Sequence, residues 1–541
     1  MSSLSSLSRA VSAMMSNQSA LNTSAHNLTN INTPGYVRQQ VVMAESGYSK
    51  VGMNETTDFQ VGLGVDVQAI RQVRDQFLDT SYRQERGRYG FYDAQNTGIE
   101  EIEIILGEIE GESFSTVLND LWVSLNELAK HPDGLETRGT FIQNASLFVN
   151  RTDLISKQLN DYQLNMNEDV KSMVSRINEI GDEIYQLNEV IVSYEIGDGN
   201  ANDYRDQRNI LVDELSKLID VSAKEDSAGN VKVRIENTEF ITTAGVNHMG
   251  LEASEPYSNL VSPVWPHVAN YPVFNFDVAI TPESNNDKGA LKGLLITRGI
   301  RQGSYTDMID QATYEADIKP SIIMNAQAQF DQLVHGIATT INDILSPNTV
   351  GPPPMLDTAN APYGLDGTQG FEVFKRTYVD RYNGLNEYNV EDPLDPYTLY
   401  SSGNLEINQE LLTDYDKLPL QKLLNEPGDS TIINDMLNAW DQPFSSLEPG
   451  LTAKLNFNDY YKAYVGDVGN NGYAVGNIVD NQQMMIQQID NQRSSLQGVS
   501  SDEELGNVIK YQHAYNAAAK VVSTVDQMIE TLVTSTGLVG R

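Results

Sequence analysis

Apolar side chains recur at alternating steps of three and four residues along the first 30 residues of the chain. The positions of this seam, with one polar interruption at Gln18, are Leu4, Leu7, Val11, Met14, Gln18, Leu21, Ala25 and Leu28. Such a/d spacing predicts a coiled-coil helix, and the Ser, Asn and Ala residues around it leave the helix with little charge. Pro34 and Gly35 predict that the helix ends before a tight turn.

The last 40 residues carry a second seam of the same kind. Its positions are Val508, Tyr511, Tyr515, Ala518, Val522, Val525, Ile529 and Leu532. We expect a helix over about 502–534. Ser501 and Glu504 have the spacing of a capping box at its start, and the acids there suit the positive end of the helix dipole.

Two seamed helices at opposite ends of one chain can pair, which leaves two interpretations open. In the first interpretation, the pair only closes a helical bundle. The narrow seams on small, uncharged residues favour helices that also pack against further copies of the chain and that lack order until they do so. We therefore predict an assembly site formed by Leu4, Leu7, Val11, Met14, Leu21, Leu28, Val508, Tyr511, Tyr515, Val522, Val525, Ile529 and Leu532.

The interior mixes both periodicities. Residues 61–70 alternate as a strand does, and 220–300 fall to a period of two with Val231, Val233 and Ile235 on one face. The segments predicted to be helical are 70–130 for the most part, 139–196, 203–219, 305–345 and 474–497. Residues 346–455 are rich in Tyr, Asn, Asp, Gly and Pro, which predicts an insertion of short strands and loops.

These segments predict an α+β, multidomain protein with paired N- and C-terminal coiled-coil helices, a helical-bundle inner domain and β-rich outer domains. A chain of 541 residues exceeds what one hydrophobic core supports. The predicted division has four parts: 1–35 with 500–541 as the terminal coiled coil; 36–219 with 301–345 and 456–499 as the helical domain; 220–300 as the β-rich domain; and 346–455 as an inserted surface domain.

Charge and composition narrow the function. The formal net charge of −38 disfavours nucleic acid and anionic membranes as partners, and it keeps a self-associating subunit soluble. The absence of cysteine excludes disulfides, Cys-ligated zinc and thiol catalysis. We find neither a secretory signal pattern nor an apolar run of membrane-spanning length, so we expect no membrane insertion and no cleaved signal.

No catalytic or metal-binding constellation emerges from the sequence. The six histidines lack metal-ligand spacing, and neither a phosphate-binding loop nor a nucleophile elbow is found. Asp198, Asn200 and Asn202 resemble the start of a calcium loop, but Asp203 replaces its glycine and Asn209 replaces its final glutamate. We therefore predict no enzymatic activity, no cofactor and no metal site.

Two terminal segments carry a resemblance to a known family. Residues 30–36 (NINTPGY), after a helix rich in Ser, Ala and Asn, and residues 511–520 (YQHAYNAAAK) resemble the signatures of flagellar rod, hook and hook-associated proteins. Within that family, residues 202–216, 457–461 and 498–504 resemble members that join hook to filament. The resemblance covers about 1–220, 290–345 and 455–541, is weak over 220–290, and hardly extends to 346–455.

The resemblance implies a structural subunit at the hook–filament junction, whose paired terminal helices form an inner tube. Its implied partners are further copies in a ring-like homo-oligomer, the hook protein, a further hook-associated protein, and a cytosolic export chaperone on the C-terminal helix. It implies an extracellular position on the flagellum after type III export. Another axial subunit, such as hook protein or a flagellin, is the alternative, although residues 202–216 argue against it. An adhesive role of 346–455 is a further alternative.

Overall fold

The computed structural model describes residues 2–51, 59–107, 113–197, 199–256 and 258–536. The chain folds into two compact units. The first contains Met1–Arg88, Arg176–His248 and Gln482–Arg541, and the second contains Tyr89–Ser175 and Met249–Asn481. Each unit is assembled from segments far apart in sequence, as the nested sequence pattern predicts.

Helices dominate both units. In chain order they are α1 (Ser2–Thr29), α2 (Gln76–Leu106), α3 (Phe114–Lys130), α4 (Leu135–Glu195), α5 (Asn202–Leu218), α6 (Ala290–Arg298), α7 (Gln311–Thr313), α8 (Ile322–Leu345), α9 (Gln409–Thr413), α10 (Thr431–Asp441), α11 (Phe457–Gln497) and α12 (Ser501–Thr536). The long terminal helices and the α+β, multidomain class are confirmed, whereas the four-part division stays a prediction.

The strands are short and form small antiparallel sheets. They are β1 (Gln39–Glu45), β2 (Tyr48–Val51), β3 (Phe59–Gly62), β4 (Val65–Gln72), β5 (Val221–Glu225), β6 (Val231–Ile235), β7 (Thr238–Ile241), β8 (Gly250–Ala253), β9 (Val261–Trp265), β10 (Tyr271–Pro272), β11 (Phe374–Arg376) and β12 (Leu405–Ile407). The pairings are β1 with β4, β2 with β3, β5-β6-β7, β8-β9-β10 and β11 with β12.

In the first unit, the single strand predicted over 61–70 is wrong. Gly64 has φ +122°, so the backbone leaves the extended conformation there, and β3 and β4 are separate strands that pair with different partners. A Cβ on Gly64 would lie 2.1 Å from the hydroxyl oxygen of Ser12 in α1, so this glycine also permits the close approach of helix and strand.

The predicted period-two alternation is confirmed in β6. Val231, Val233 and Ile235 are buried, whereas Lys232 and Arg234 are exposed. The β-rich domain predicted over 220–300 is shorter in the structure. Its last strand, β10, ends at Pro272, and the apolar residues at 290–298 form the buried helix α6 instead of a strand.

In the second unit, aromatic rings from α3, α8 and α11 meet in the core. The ring centroid of Phe114 in α3 lies 5.1 Å from that of Phe330 in α8 and 4.9 Å from that of Tyr461 in α11. The Tyr464 hydroxyl donates to the Ala326 carbonyl at 3.2 Å, which satisfies a fully buried polar group.

Residues 346–455, predicted as an inserted surface domain, share this core. The side chain of Asn342 in α8 accepts hydrogen bonds from the amides of Val373 and Phe374, both at 3.1 Å, and its Nδ2 donates to the Phe374 carbonyl at 2.6 Å. Phe374 in turn packs edge to face against Phe148 of α4, with ring centroids 5.8 Å apart. The segment contains the predicted short strands and loops, together with the helix α10, which packs against α3 and α8.

Two helix boundaries differ from the prediction. The helix expected over 305–345 is interrupted. Residues 305–308 form a 3-10 turn, α7 follows, and 314–318 form a π turn. The long helix α8 begins at Ile322, capped by the Ser321 side chain, because Pro320 lacks the amide hydrogen that would continue the preceding turn. The helix expected from 474 begins at Phe457. Its glycines suggest a break, but Gly472 faces α2, where a Cβ would lie 3.1 Å from Ile99, so glycine serves close packing there.

Candidate functional site

The first unit brings the two chain ends together. Helix α1 packs along α12 and also against β1 and β4. The positions of α1 that are fully buried are small or polar: Ala10, Ser16, Ala20, Thr23, Ser24 and Asn27. The Ser16 hydroxyl donates to the Val65 carbonyl of β4 at 3.0 Å, so small side chains allow the helix to lie directly on the strand.

The predicted seam of α1 lies beside this buried face. Leu7, Val11, Met14, Leu21 and Leu28 are all half-buried in the monomer, and the side chain of Leu4 lies outside the described residues. These leucines and their neighbours therefore retain apolar surface that the monomer does not cover.

The predicted seam of α12 is similarly placed. Val508, Tyr511, Tyr515, Val522 and Ile529 are half-buried, Val525 is 7% exposed, and Leu532 is 58% exposed. The structure thus places both seams on two helices that pack together. The role of the 13 seam positions in assembly stays a prediction.

The second half of α12 exposes four large apolar side chains. Val521, Met528, Leu532 and Val533 are 47%, 60%, 58% and 65% exposed. Exposed large apolar residues that cluster on one element mark an interaction surface.

A polar cluster, which sequence reasoning missed, fastens the two chain ends to each other. We call Asn27, Tyr36, Arg38, Asp206 and Glu504 the junction cluster. The Asn27 amide, 1% exposed, donates to the Gln39 carbonyl at 2.9 Å and to Glu504 Oε1 at 3.1 Å. Its Oδ1 accepts from the Tyr36 hydroxyl at 2.8 Å and from the Gln39 amide at 3.0 Å. One buried side chain therefore joins α1, the turn at 30–36 (the signature turn), β1 and α12.

Glu504 does not form the predicted capping box. Its side chain is 2% exposed and accepts a hydrogen bond from Arg38 Nε at 3.0 Å, while the other two Arg38 nitrogens bind the exposed Glu503. The carboxylate turns away from Ser501 because Asn27 and Arg38 offer it stronger donors than a helix-terminal amide does. A buried carboxylate without such partners would be costly, so the pair fixes where α12 begins.

Gly35 shapes the turn that leads into this cluster. Its φ of +74° lies in the left-handed region, and a Cβ there would lie 2.5 Å from both Cγ1 and Cδ1 of Ile210 in α5. The turn therefore requires glycine for its conformation and for its contact with α5.

Tyr36 and His26 extend the cluster toward α5. His26 Nδ1 lies 3.0 Å from the Tyr36 hydroxyl, and His26 Nε2 lies 3.5 Å from Asp203. Burial raises the pKa of Tyr36 far above its usual value, and the charges of Asp203, Asp206 and Glu504 add to this. Tyr36 therefore acts as a neutral hydrogen-bond donor.

Asp206 holds the turn from the other side. Its carboxylate is 5% exposed and accepts from the Val37 amide at 3.2 Å and from Gln72 Nε2 at 2.6 Å. Burial raises the pKa of Asp206 to about 7, even though the Val37 amide favours the charged form. The charge of Asp206 in the folded state therefore changes near neutral pH.

The other charged residues of α5 form ion pairs within the first unit. Arg205 pairs with Glu195 and Glu225, and Arg208 binds Glu225 at 2.9 Å. The Asp213 carboxylate forms ion pairs with Arg83 at 2.6 Å and with Arg493 of α11 at 2.9 Å. The segment 202–216, singled out by resemblance, is thus the part of the unit to which the other elements attach.

The arrangement positions helices, and nothing in it indicates catalysis. In the part of the chain that the structure describes, no three His, Asp or Glu side chains come together as a metal site. Asp198 of the calcium-like pattern lies outside the described residues, and the Asn202 amide is occupied by Gln39 and Ile70. None of the described helices is both long and apolar enough to span a membrane.

Three family models match the chain. A model described as "Flagellar hook-associated protein FlgK helical domain" matches residues 99–349. One for "Flagella basal body rod protein" matches 7–36, and one for "Flagellar basal body rod FlgEFG protein C-terminal" matches 492–535. The two terminal matches contain most of α1 with the signature turn, and nearly all of α12.

Curated relatives align over almost the whole chain. The flagellar hook-associated protein 1 of Bacillus subtilis (strain 168) is 26% identical, over 98% of this chain and 97% of the relative. The proteins of the same name from Escherichia coli (strain K12) and Salmonella typhimurium are each 24% identical over 98% of this chain. A solved structure, the flagellar hook junction protein FlgK from Burkholderia pseudomallei, matches at a TM-score of 0.41 and 18% identity, over 55% of this chain and 46% of its own.

The turn gives a matched pair of glycine substitutions. Gly35 and Gly47 both have positive φ, but a Cβ on Gly47 meets nothing within 4 Å. We expect Gly47→Ala to lower the free energy of unfolding by about 1 kcal/mol through backbone strain alone. Gly35→Ala should cost about 2–3 kcal/mol, because Ile210, β-branched on a helix, must also leave its preferred rotamer. Urea unfolding measures the free energy of unfolding of both variants. Combining Gly35→Ala with Ile210→Ala should recover most of the difference between the two single variants. Equal losses for the two single variants would contradict this contact.

Asp206 predicts a defined pH dependence. The pKa of Asp206 in the fold is about 7, above the usual aspartate pKa of 3.8, so between these pH values only the folded state holds the proton. The contribution of Asp206 to the free energy of unfolding is therefore highest below pH 4 and falls as pH rises to 7, by about 4 kcal/mol at most.

Asp206→Asn should remove this dependence. The difference in unfolding free energy between Asp206→Asn and the unsubstituted chain should shift in favour of the variant from pH 5 to pH 8. Comparing the two pH values cancels any fixed cost of the amide facing Gln72. A difference that stays constant from pH 5 to pH 8 would show that Asp206 is already ionised in the fold.

Proposed function

We propose, on the premise that this chain is a member of the flagellar hook-associated protein 1 family, that it is the structural subunit of the bacterial flagellum that forms the junction between hook and filament. The observation that carries the proposal is the match to hook-associated protein 1 along 98% of the chain. The chain is a structural protein and not an enzyme. Of the axial alternatives, a hook protein or a flagellin fits less well, since the helical-domain model that matches 99–349 is that of the hook-associated protein.

The charge distribution supports packing of the terminal helices against further copies. Residues 1–36 contain Arg9 as their one residue among Asp, Glu, Lys and Arg, and residues 505–525 contain only Lys510 and Lys520. These two segments together carry +3, so the remaining residues carry −41 and the whole chain −38. Copies can approach one another along these uncharged ends, where repulsion is weak and half-buried apolar seams remain to be covered.

The finer order of partners extends this proposal. The paired α1 and α12 pack with those of neighbouring copies into a ring-like oligomer around the axis. That ring sits on the hook protein, and a further hook-associated protein follows it. The junction cluster contributes by holding the start of α12 against the signature turn, so that both helices begin from a fixed point.

Export and protection before assembly form a second part of the proposal. The chain would leave the cell through the flagellar type III apparatus without a cleaved signal. In the cytosol, a flagellar export chaperone would cover the second half of α12, where Val521, Met528, Leu532 and Val533 are exposed. Such a surface is an aggregation hazard for a free subunit and suits a helix-in-groove partner.

Substitutions on α12 test the assembly seam. Val522 is half-buried on the seam, and the adjacent Ser523 is exposed. Val522→Asp places a charge at the predicted contact, with a penalty of several kcal/mol once other copies cover it. We expect cells with this variant as their only copy to have hooks without filaments and to lose flagellin to the medium.

Ser523→Asp is the matched control and should support filaments. Thermal unfolding of both purified variants shows whether the body stays folded, as we expect. Normal motility of the Val522→Asp strain would contradict the seam, and the loss of filaments in both strains would show that any added charge on α12 suffices.

The chaperone proposal has a separate test in purified protein. Titration of the full-length chain with its export chaperone should give a 1:1 complex, and replacing Val521, Met528, Leu532 and Val533 by Ser should weaken it at least tenfold. Met484→Ser, at a 62% exposed methionine of α11, is the control and should change nothing. Unchanged affinity of the fourfold variant would place the chaperone elsewhere.

A further inference from the structure

The second unit contains a cleft that the junction role does not use. Its volume is about 570 Å³, within the range of about 300–1,000 Å³ that is usual for small-molecule sites. Three parts of the unit line it: one face of α4, the turn at 301–306, and the segment 393–404 with Tyr378.

The α4 wall presents polar groups without partners. Asp153, Lys157 and Asn160 line the cleft at helical steps of four and three residues, so they share one face. Within the described residues, their side chains make no hydrogen bond and no ion pair. They offer the cleft an acceptor, a donor and an amide that can do both.

Two tyrosines line the opposite side. The rings of Tyr378 and Tyr397 meet edge to face with centroids 4.8 Å apart, yet the residues are 68% and 58% exposed. Pro393 and Pro396 line the cleft beside them. A paired aromatic platform held at the rim of a polar cleft is suited to a ligand with a flat apolar face.

Asn404 fixes the loop that carries Tyr397. It lines the cleft and is 7% exposed. Its Nδ2 donates to the carbonyls of Pro396, Tyr397 and Leu399 at 3.2, 3.1 and 2.7 Å. These bonds hold the loop backbone beside Tyr397, so the tyrosine is offered to the cleft from a fixed loop.

The floor of the cleft is held rigidly. Asp331 is 3% exposed and accepts from the Tyr305 amide at 2.9 Å, from the Ser402 amide at 2.5 Å and from the Ser304 hydroxyl at 3.3 Å. These bonds tie α8, the 301–306 turn and the 401–404 loop together. A ligand would therefore meet a preformed surface and lose little affinity to ordering of the loops.

The balance of charge defines the chemical class. Asp153 and Lys157 offset each other, and the Arg301 guanidinium is occupied by both Asp307 oxygens at 2.8 and 2.7 Å. No excess positive charge is thus available for a phosphate or carboxylate. The remaining lining groups are hydroxyls and amides, among them Ser156, Thr306 and Ser401.

From this geometry we propose that the cleft binds a neutral oligosaccharide. Sugar hydroxyls donate and accept in turn, as Asp153, Lys157 and Asn160 require. The C–H face of a sugar ring lies on the Tyr378–Tyr397 pair. The activity is separate from the structural role and gives the subunit a second function in adhesion to glycan surfaces.

The test uses the full-length chain and three neutral probes: maltotriose, mannotriose and triacetylchitotriose. Titration calorimetry should show saturable binding of at least one, with a Kd of about 1 mM or tighter. Trigalacturonic acid and a decaproline peptide serve as contrasts. Tighter binding of either contrast than of any neutral probe would overturn the proposal, as would no binding of the three.

Variants connect the binding to the cleft. Tyr397→Ala and Lys157→Ala should each lower the affinity for the trisaccharide at least fivefold. Both residues are exposed, so thermal unfolding should be unchanged. Tyr473→Ala, at a 75% exposed tyrosine of α11 outside the cleft, is the matched control. Affinity retained in both cleft variants, or lost equally in Tyr473→Ala, would overturn the assignment.

Discussion

The buried contact between Asn27, Arg38 and Glu504 is the interaction on which the first unit depends. It joins side chains up to 477 positions apart in the sequence. Glu504 is 2% exposed and would be an isolated buried charge without Arg38, so the N-terminal turn and the start of α12 stabilise each other. The terminal helices have few charges and only half-covered seams, and their pairing rests on this fixed starting point.

The second unit achieves its stability in another way. Aromatic rings from α3, α8 and α11 meet around Phe114, and the 346–455 segment adds Phe374 to the same core. Buried amides such as Asn342 connect the segment to the helix beneath it. A segment that lacks regular structure over most of its length is thereby held firmly enough to carry the preformed cleft proposed above.

Much of this architecture could be predicted from the sequence, because the spacing of apolar residues along the chain differs between helices and strands. The long helices α1, α4, α5 and α12 and the alternation in β6 follow from it. The junction cluster could not be predicted, because its members are polar and distant in sequence. One signal was present: Ser16, Thr23 and Asn27 recur on α1 at helical steps beside the apolar seam, which indicates a second buried face. The start of α11 at Phe457 was missed, and whether a glycine such as Gly472 breaks a helix or admits a neighbour depends on the neighbour.

The distance in sequence between the two halves of the junction cluster has a kinetic consequence. During synthesis, Asn27 and Arg38 leave the ribosome long before Glu504 exists, so the first unit cannot close until the chain is almost finished. Closing so large a loop costs on the order of 5 kcal/mol of chain entropy, and contacts of this separation form slowly. The newly made subunit thus passes through a period in which its ends are unpaired, and this delay would suit the type III export proposed above.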